Sequence, residues 1–259
     1  MATAATITAT TASTMSTDRG GPRLWAAGLA SAAVGLCLVF LAVPRMAAQL
    51  TILPVASQVG AALSQGDAID GPLLSEARRR YETAAGLDAS DAELSLTLAR
   101  LDFRAAKTYE DTAKGLNAAE AHLREAASQA PNDAFIWTEL AKTALAEKAP
   151  AEKAINYLLL SWQTGRFELS SMIARPAVAL AYWDELPEAL REKTRQDIQR
   201  MWGRELGAYL RRLYLSLGYR ERARFLEAGF PDEKERRTFL RSVLWNTNLR
   251  KELEKLRQR

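Results

Sequence analysis

Two twelve-residue stretches decide the fold: DASDAELSLTLA at 88–99 and APNDAFIWTELA at 130–141. Asp91/Asp133, Ala92/Ala134, Leu98/Leu140 and Ala99/Ala141 coincide at an offset of 42. A second pattern, Ala-x3-large-x2-Ala, precedes each stretch: Ala77, Tyr81, Ala84, then Ala119, Leu123, Ala126. It returns as Ala154 and Leu158, with Ser161 in the last place. Spacings of three and four put each trio on one helical face, and alanine at the outer positions lets a second helix approach closely. Self-similarity with a period of about 35–42 residues is the signature of stacked helix pairs.

These residues resemble the tetratricopeptide repeat (TPR), whose pattern is W-x2-L-G-x2-Y, then A-x3-F-x2-A, then Pro, over about 34 residues. Trp137, Leu140 and Ala141 stand where W, L and G belong, and Ala119, Leu123, Ala126 and Pro131 match the second half and its proline. The chain departs from the pattern at Ser95, in the Trp place of the earlier repeat, at Ala89, in place of its proline, and in a longer linker near 107–116. The resemblance covers about 72–165. It implies an all-α scaffold with a groove lined by the first helix of each repeat. At the corresponding positions that groove carries Leu96, Arg100, Phe103 and Arg104, then Phe135, Thr138 and Lys142. Apolar groups beside fixed cations suit a protein segment with apolar anchors and acidic groups. Members of the family that bind chaperone tails use a Lys/Asn carboxylate clamp. The matching pairs here, Leu96/Arg100 and Thr138/Lys142, lack the Asn.

Working outward from the repeats, the N-terminal side changes character. LWAAGLASAAVGLCLVFLAVP, 24–44, carries no charge. Leu24 to Val43 as a helix measures about 30 Å, the thickness of a bilayer's hydrocarbon core. Leu24, Trp25, Leu36, Val39, Phe40 and Val43 are its lipid-facing candidates. A secretory signal is the competing reading, but its apolar region is shorter and VPRMAAQL is a poor cleavage site. Cys37 lacks a small residue before it and sits within the apolar run, so it reads as a membrane-helix residue rather than a lipidation site. Arg19, Arg23 and the terminal amine outweigh Arg45. The positive-inside rule then puts the tail in the cytoplasm and the larger domain on the periplasmic side of an inner membrane. A single Cys allows no intramolecular disulfide.

The expected organisation is a disordered Ala/Thr-rich tail at 1–22, an anchor at 23–45 and a juxtamembrane segment at 46–70. Repeats follow at 71–165 and a basic helical part at 166–259. Helices are expected near 55–65, 72–86, 91–107, 116–129, 133–147, 151–163, 176–184, 187–202, 204–217, 219–228, 232–245 and 248–257. Strand-type alternation is absent. Beyond 165 the repeat fades, and Trp183, Trp202, Tyr209 and Tyr214 read as large fillers of an atypical closing unit.

The +4 net charge hides an asymmetry: 191–259 holds 19 Lys/Arg against 10 Asp/Glu, a net of +9, and the remainder is −5. Acids interleave with REKTRQDIQR, YRERARF and EKERRTFLR, so these runs read first as salt-bridged helix faces. Anionic lipid or polysaccharide is the next candidate contact, ahead of nucleic acid. Catalytic signatures are missing. The single histidine, His122, sits on a repeat helix and reads as a surface or interface residue. One His and one Cys leave no ligand set for zinc or haem, and no cofactor is expected. No phosphate-binding or nucleophile-elbow motif occurs. Asp184/Glu185 and Asp232/Glu233 sit at helix boundaries, where a carboxylate favours a helix start. The chain thus reads as a non-enzymatic, membrane-tethered protein-interaction scaffold, an assembly factor for secretion, cytochrome maturation or polysaccharide export. The alternative is a cleaved periplasmic binding protein with a glycan or small-molecule site under the aromatic C-terminal helices.

Overall fold

The computed structural model describes residues 21–65, 69–108, 111–203 and 206–246. The expected tail at 1–22 lies almost wholly outside the described residues, and the expected helix at 248–257 and the side chains of Leu24 and Trp25 wholly so. Among the described residues there are eleven helices and no strand. They are α1 (Gly21–Gln65), α2 (Gly71–Leu87), α3 (Ala92–Thr108), α4 (Thr112–Gln129), α5 (Ala134–Ala146) and α6 (Ala151–Thr164). Then come α7 (Leu169–Ala181), α8 (Glu188–Gly203), α9 (Gly207–Ser216), α10 (Tyr219–Gly229) and α11 (Glu233–Asn246). The chain forms two compact units, Met1–Ala47 and Ala48–Arg259.

In the first unit, α1 exposes Leu36, Val39, Phe40 and Val43. The stretch Leu29–Ser64 is long and apolar enough to cross a membrane. Of the juxtamembrane segment expected at 46–70, residues 46–65 belong to α1. The helix expected at 55–65 runs back without a break through Pro54 and Pro44, and from Ala48 onward it belongs to the core of the second unit. Ala48, Ile52, Val55, Val59 and Leu63 form a buried stripe against α2 and α3. Proline supplies no N–H, so Pro54 leaves the Leu50 carbonyl without its helical donor. One residue on, Arg80 of α2 donates from Nη1 to the Thr51 carbonyl at 3.0 Å.

The core of the second unit is a succession of four clusters, each built from helices consecutive in the chain. The first joins α1, α2 and α3; the second α3, α4 and α5; the third α5 through α8. The fourth gathers α7 through α11. All nine residues of the Ala-x3-large-x2-Ala trios are buried, one trio on each of α2, α4 and α6. Helices α3 and α4 also approach closely at Gly115, where a Cβ would lie 2.7 Å from that of Ala106.

The turns after these three helices share one hydrogen-bond scheme. The N–H of Asp88, Ala130 and Gly165 donates to Ala84, Ala126 and Ser161 carbonyls at 2.9, 2.9 and 3.1 Å. Three residues on, the N–H of Asp91, Asp133 and Glu168 returns to the cap carbonyls at 3.3, 3.1 and 3.4 Å. The cap residues have similar backbones, with φ/ψ of −129/81°, −132/68° and −151/75°. Asp91 and Asp133 then cap the next helix, accepting from Glu93 and Phe135 N–H at 2.9 and 2.8 Å. The offsets of 42 and 35 thus hold from side chain to backbone.

Two expectations fail beyond this point. Proline favours helix starts, so Pro176 reads as the first turn of a helix at 176–184. Instead α7 begins at Leu169 and carries Pro176 inside it. Burial of Met172, Val178, Ala179 and Leu180 along that helix outweighs one missing backbone bond. Tyr209, expected as a core filler, is 40 % exposed. Phe225, Phe230 and Phe239 do that work, with Trp202 edge-on to two of them and Tyr214 edge-on to Phe239. Trp183 and Trp202 are half-buried beside the same cluster. These rings pack against one another at the C-terminal end of the second unit.

Candidate functional site

The groove residues expected from the repeats fall on α3 and α5, and the structure divides them. Leu96 is buried in the α3–α4–α5 cluster. Thr138 is fully buried; its Oγ1 donates to the Ala134 carbonyl at 2.9 Å and lies 2.6 Å from Ser161 Oγ. Neither lines an open face. Each sits four residues before a half-buried cation, Arg100 and Lys142, on the side of its helix turned into the neighbouring packing layer.

Four of the other five come together in two contacts between α3 and α5. The Arg100 guanidinium lies 5.4 Å from the Phe135 ring centre. The Lys142 ammonium lies 5.7 Å from that of Phe103. Lys107, four residues after Phe103 and therefore on the same face, places a second ammonium 4.8 Å from that ring. Sequence reasoning missed Lys107, although the i, i+4 spacing was there to find. Arg104 is half-buried beside them.

Two ammonium groups, of Lys107 and Lys142, lie near the Phe103 ring. Lys142 Nζ donates to both oxygens of Glu139 at 2.7 and 2.8 Å. Burial, then the positive charges of Lys142 and Arg104, push the Lys107 amine below the usual lysine range, against a smaller pull from Glu139. The buried Glu139 carboxylate thus holds Lys142 and attracts Lys107. A cation over an aromatic face is worth about 0.5–1 kcal/mol at exposed sites.

Arg100 has a further duty. Its Nη2 donates to the Leu63 carbonyl at 3.2 Å, near the C-terminus of α1. The last carbonyls of a helix have no internal partner and carry partial negative charge, which a guanidinium satisfies. Near its base, burial first, and then Asp133 and Asp91, raise the Glu93 carboxyl, with Arg100 pulling the other way.

Trp137, expected as a buried repeat residue, is half-buried. It stacks on Tyr157 at 6.3 Å, and its Nε1 donates to the Pro131 carbonyl at 2.8 Å. His122 lies on α4 as an interface residue, its Nε2 3.5 Å from Oδ2 of the buried Asp102. Arg78 Nε holds the other oxygen at 2.6 Å, and Oδ2 has no hydrogen-bond partner. Burial raises the Asp102 carboxyl against the pull of Arg78 and His122. An open pocket of about 250 Å³ lies alongside, lined by Arg78, Asp111 and Lys114.

A second buried polar centre was invisible in the sequence. Arg175 and Asp197 are both buried, with Nη1 and Oδ2 3.6 Å apart. Arg175 donates to Ser161 Oγ at 2.9 Å, to the Ser161 carbonyl at 3.0 Å and to the Gly165 carbonyl, closing the end of α6. Trp162 Nε1 donates to Asp197 at 2.9 Å. Every donor points at a group of the fold, so this centre binds helices together.

The carboxylate pairs at helix boundaries have structural partners. Asp184 meets Arg220 at 3.2 Å and also Arg224. Asp232 caps α11, accepting from Glu235 N–H at 2.9 Å. Arg191 and Arg195 lie over Trp183 and pair with Glu188 and Glu192. Among the described residues no group of three His, Cys, Asp or Glu could hold a metal ion.

No protein-family model matches the chain, and none of the curated proteins matches it.

Proposed function

We propose that the chain is a membrane-tethered, TPR-like interaction scaffold that captures an acidic protein segment on the α3–α5 face. The observation that carries this reading is the pair of ammonium groups over the Phe103 ring, Lys107 and Lys142. Three turns with one hydrogen-bond scheme support the repeat architecture, and the apolar helix α1 supports the tether. The segment's carboxylates would meet Lys107 and Lys142, and its apolar side chains Phe103 and Phe135. On this reading the protein serves as an assembly factor of a bacterial envelope process, with the second unit on the periplasmic side.

The test is crosslinking and capture from membranes with the full chain and the Lys107→Glu variant; Lys142 is kept because it holds the buried Glu139. Capture of the partner falls at least tenfold in the variant while the melting temperature stays within about 2 °C. Surface changes away from packed features shift stability by no more than about 0.5 kcal/mol. Unchanged capture overturns this face. Arg100 is left intact, because a reversal there would set a carboxylate against the Leu63 carbonyl and mix folding with binding.

A further inference from the structure

From Ala48 to Gln65, helix α1 carries two seams on opposite sides. The inner one, Ala48, Ile52, Val55, Val59 and Leu63, is covered by α2 and α3. The outer one is Leu50, Leu53, Ser57, Gly60 and Ser64, at steps of three, four, three and four. All five are exposed, Leu50 by 61 % and Leu53 by 67 %. We infer that this outer seam seats a second copy of the same chain, so that two chains pair in parallel along α1.

Alternating steps of three and four are the spacing at which two helices keep one face toward each other over many turns. The outer seam has large groups at one end and small ones at the other. Leu50 and Leu53 supply apolar area, and Ser57, Gly60 and Ser64 allow the backbones to approach. A Cβ at Gly60 would meet nothing within 4 Å, so no packing inside one chain requires glycine there. Pro54 stands beside the seam rather than in it.

Charge selects the partner. From Met46 to Gln65 there is no charged residue, so this face offers nothing to an acidic or basic partner, and two identical copies of it do not repel. Geometry favours the copy as well. Two chains inserted in one membrane run in the same direction, so residue 53 of one stands level with residue 53 of the other, as a two-fold interface requires. This step rests on the membrane-tethered reading. In the sequence the same spacing continues through Met46, Val43, Val39 and Leu36.

The test uses the full chain in native membranes. Cys37 is changed to Ser, and single cysteines are placed by Leu53→Cys, Ser57→Cys, Gly60→Cys and Ser64→Cys, with Gln58→Cys as an exposed control off the seam. Copper-phenanthroline oxidation should give a disulfide-linked species of twice the chain mass at the seam positions, at least tenfold above Gln58→Cys. Adding Leu53→Arg to Ser57→Cys should abolish it, with unchanged helical circular dichroism. Equal linking at Gln58, or no linking at any seam position, overturns the proposal; a seam lying against lipid gives the second result. Carbonate extraction of the same membranes reports separately on the tether, so a failed anchor and a failed pairing are told apart.

Discussion

Lys148 is the one described non-glycine residue with a positive φ, 55°. It ends α5, where the Ala149 N–H reaches back to the Ala144 carbonyl at 3.0 Å and the Lys148 N–H bonds to Leu145 at 3.1 Å. That closure needs a left-handed residue, and a side chain there costs roughly 1–2 kcal/mol that glycine does not. Glycine gives part of this back through the greater freedom of its unfolded chain. Lys148→Gly should therefore stabilise the protein by about 0.5–1 kcal/mol, read as a higher midpoint in urea; a lower midpoint would mean that the Lys148 side chain matters more than its backbone. At Asp102 the expected effect depends on pH. Its carboxyl is raised by burial, so the folded state holds the proton more tightly than the unfolded one. The stability tied to that proton is present below the ordinary carboxylate range and lost as pH climbs through and above it. Asp102→Asn cannot lose a proton. Its melting temperature relative to the parent should rise between pH 4 and pH 7; a relative fall would show that the pairing with Arg78 outweighs burial.

At the scale of elements, the half-burial of Trp137 changes what its loss should do. Truncating a fully buried aromatic costs about 3–5 kcal/mol. Phe239, fully buried among the rings of α8 to α11, belongs in that range. Trp137 stacks on one ring and keeps an edge in solvent, so Trp137→Ala should cost measurably less than Phe239→Ala in the same denaturation series. Equal costs would mean that the α4–α5 turn collapses without its Trp137–Pro131 bond. Which elements were legible in sequence follows a physical divide. Helices α2 to α6 were readable because their signals are local: Asp91 and Asp133 as caps, and the Ala trios three and four residues apart. The tolerated Pro176 was not, because what outweighs it is burial against helices before and after α7. Arg100 misled for the same reason. Its partner, the Leu63 carbonyl, lies 37 residues earlier, and nothing in the residues around Arg100 announces a helix end. The Arg175–Asp197 pair joins α7 to α8 and closes α6, a relation between three elements that no single stretch encodes. At the candidate site, Arg100 meets Phe135 and Lys142 meets Phe103 between α3 and α5, contacts that the 42-residue offset of the two stretches made legible. Leu96 and Thr138 went astray because a helix has two sides, and the repeat position alone did not say which faced a neighbour.

For the whole molecule, the stretch Leu29–Ser64 of α1 is long and apolar enough to cross a membrane. A charge at the centre of such a helix disfavours insertion by about 2.5–3.5 kcal/mol, so Val39→Arg should shift part of the chain from the carbonate-resistant to the extractable fraction. A parent chain that is itself extracted by carbonate would remove the anchor.

The four clusters have a consequence for how the second unit comes apart. Each is completed by helices close in sequence, and the aromatic one at the C-terminal end shares only α7 and α8 with the one before it. In a protein whose layers lean only on their neighbours, damage need not spread. Amide exchange should then grade along the chain in steps, with the end richest in rings opening on its own timetable. A protease that clips the last helices would leave the α3–α5 face standing. The molecule would lose its far end as a queue loses its last member, without a general collapse.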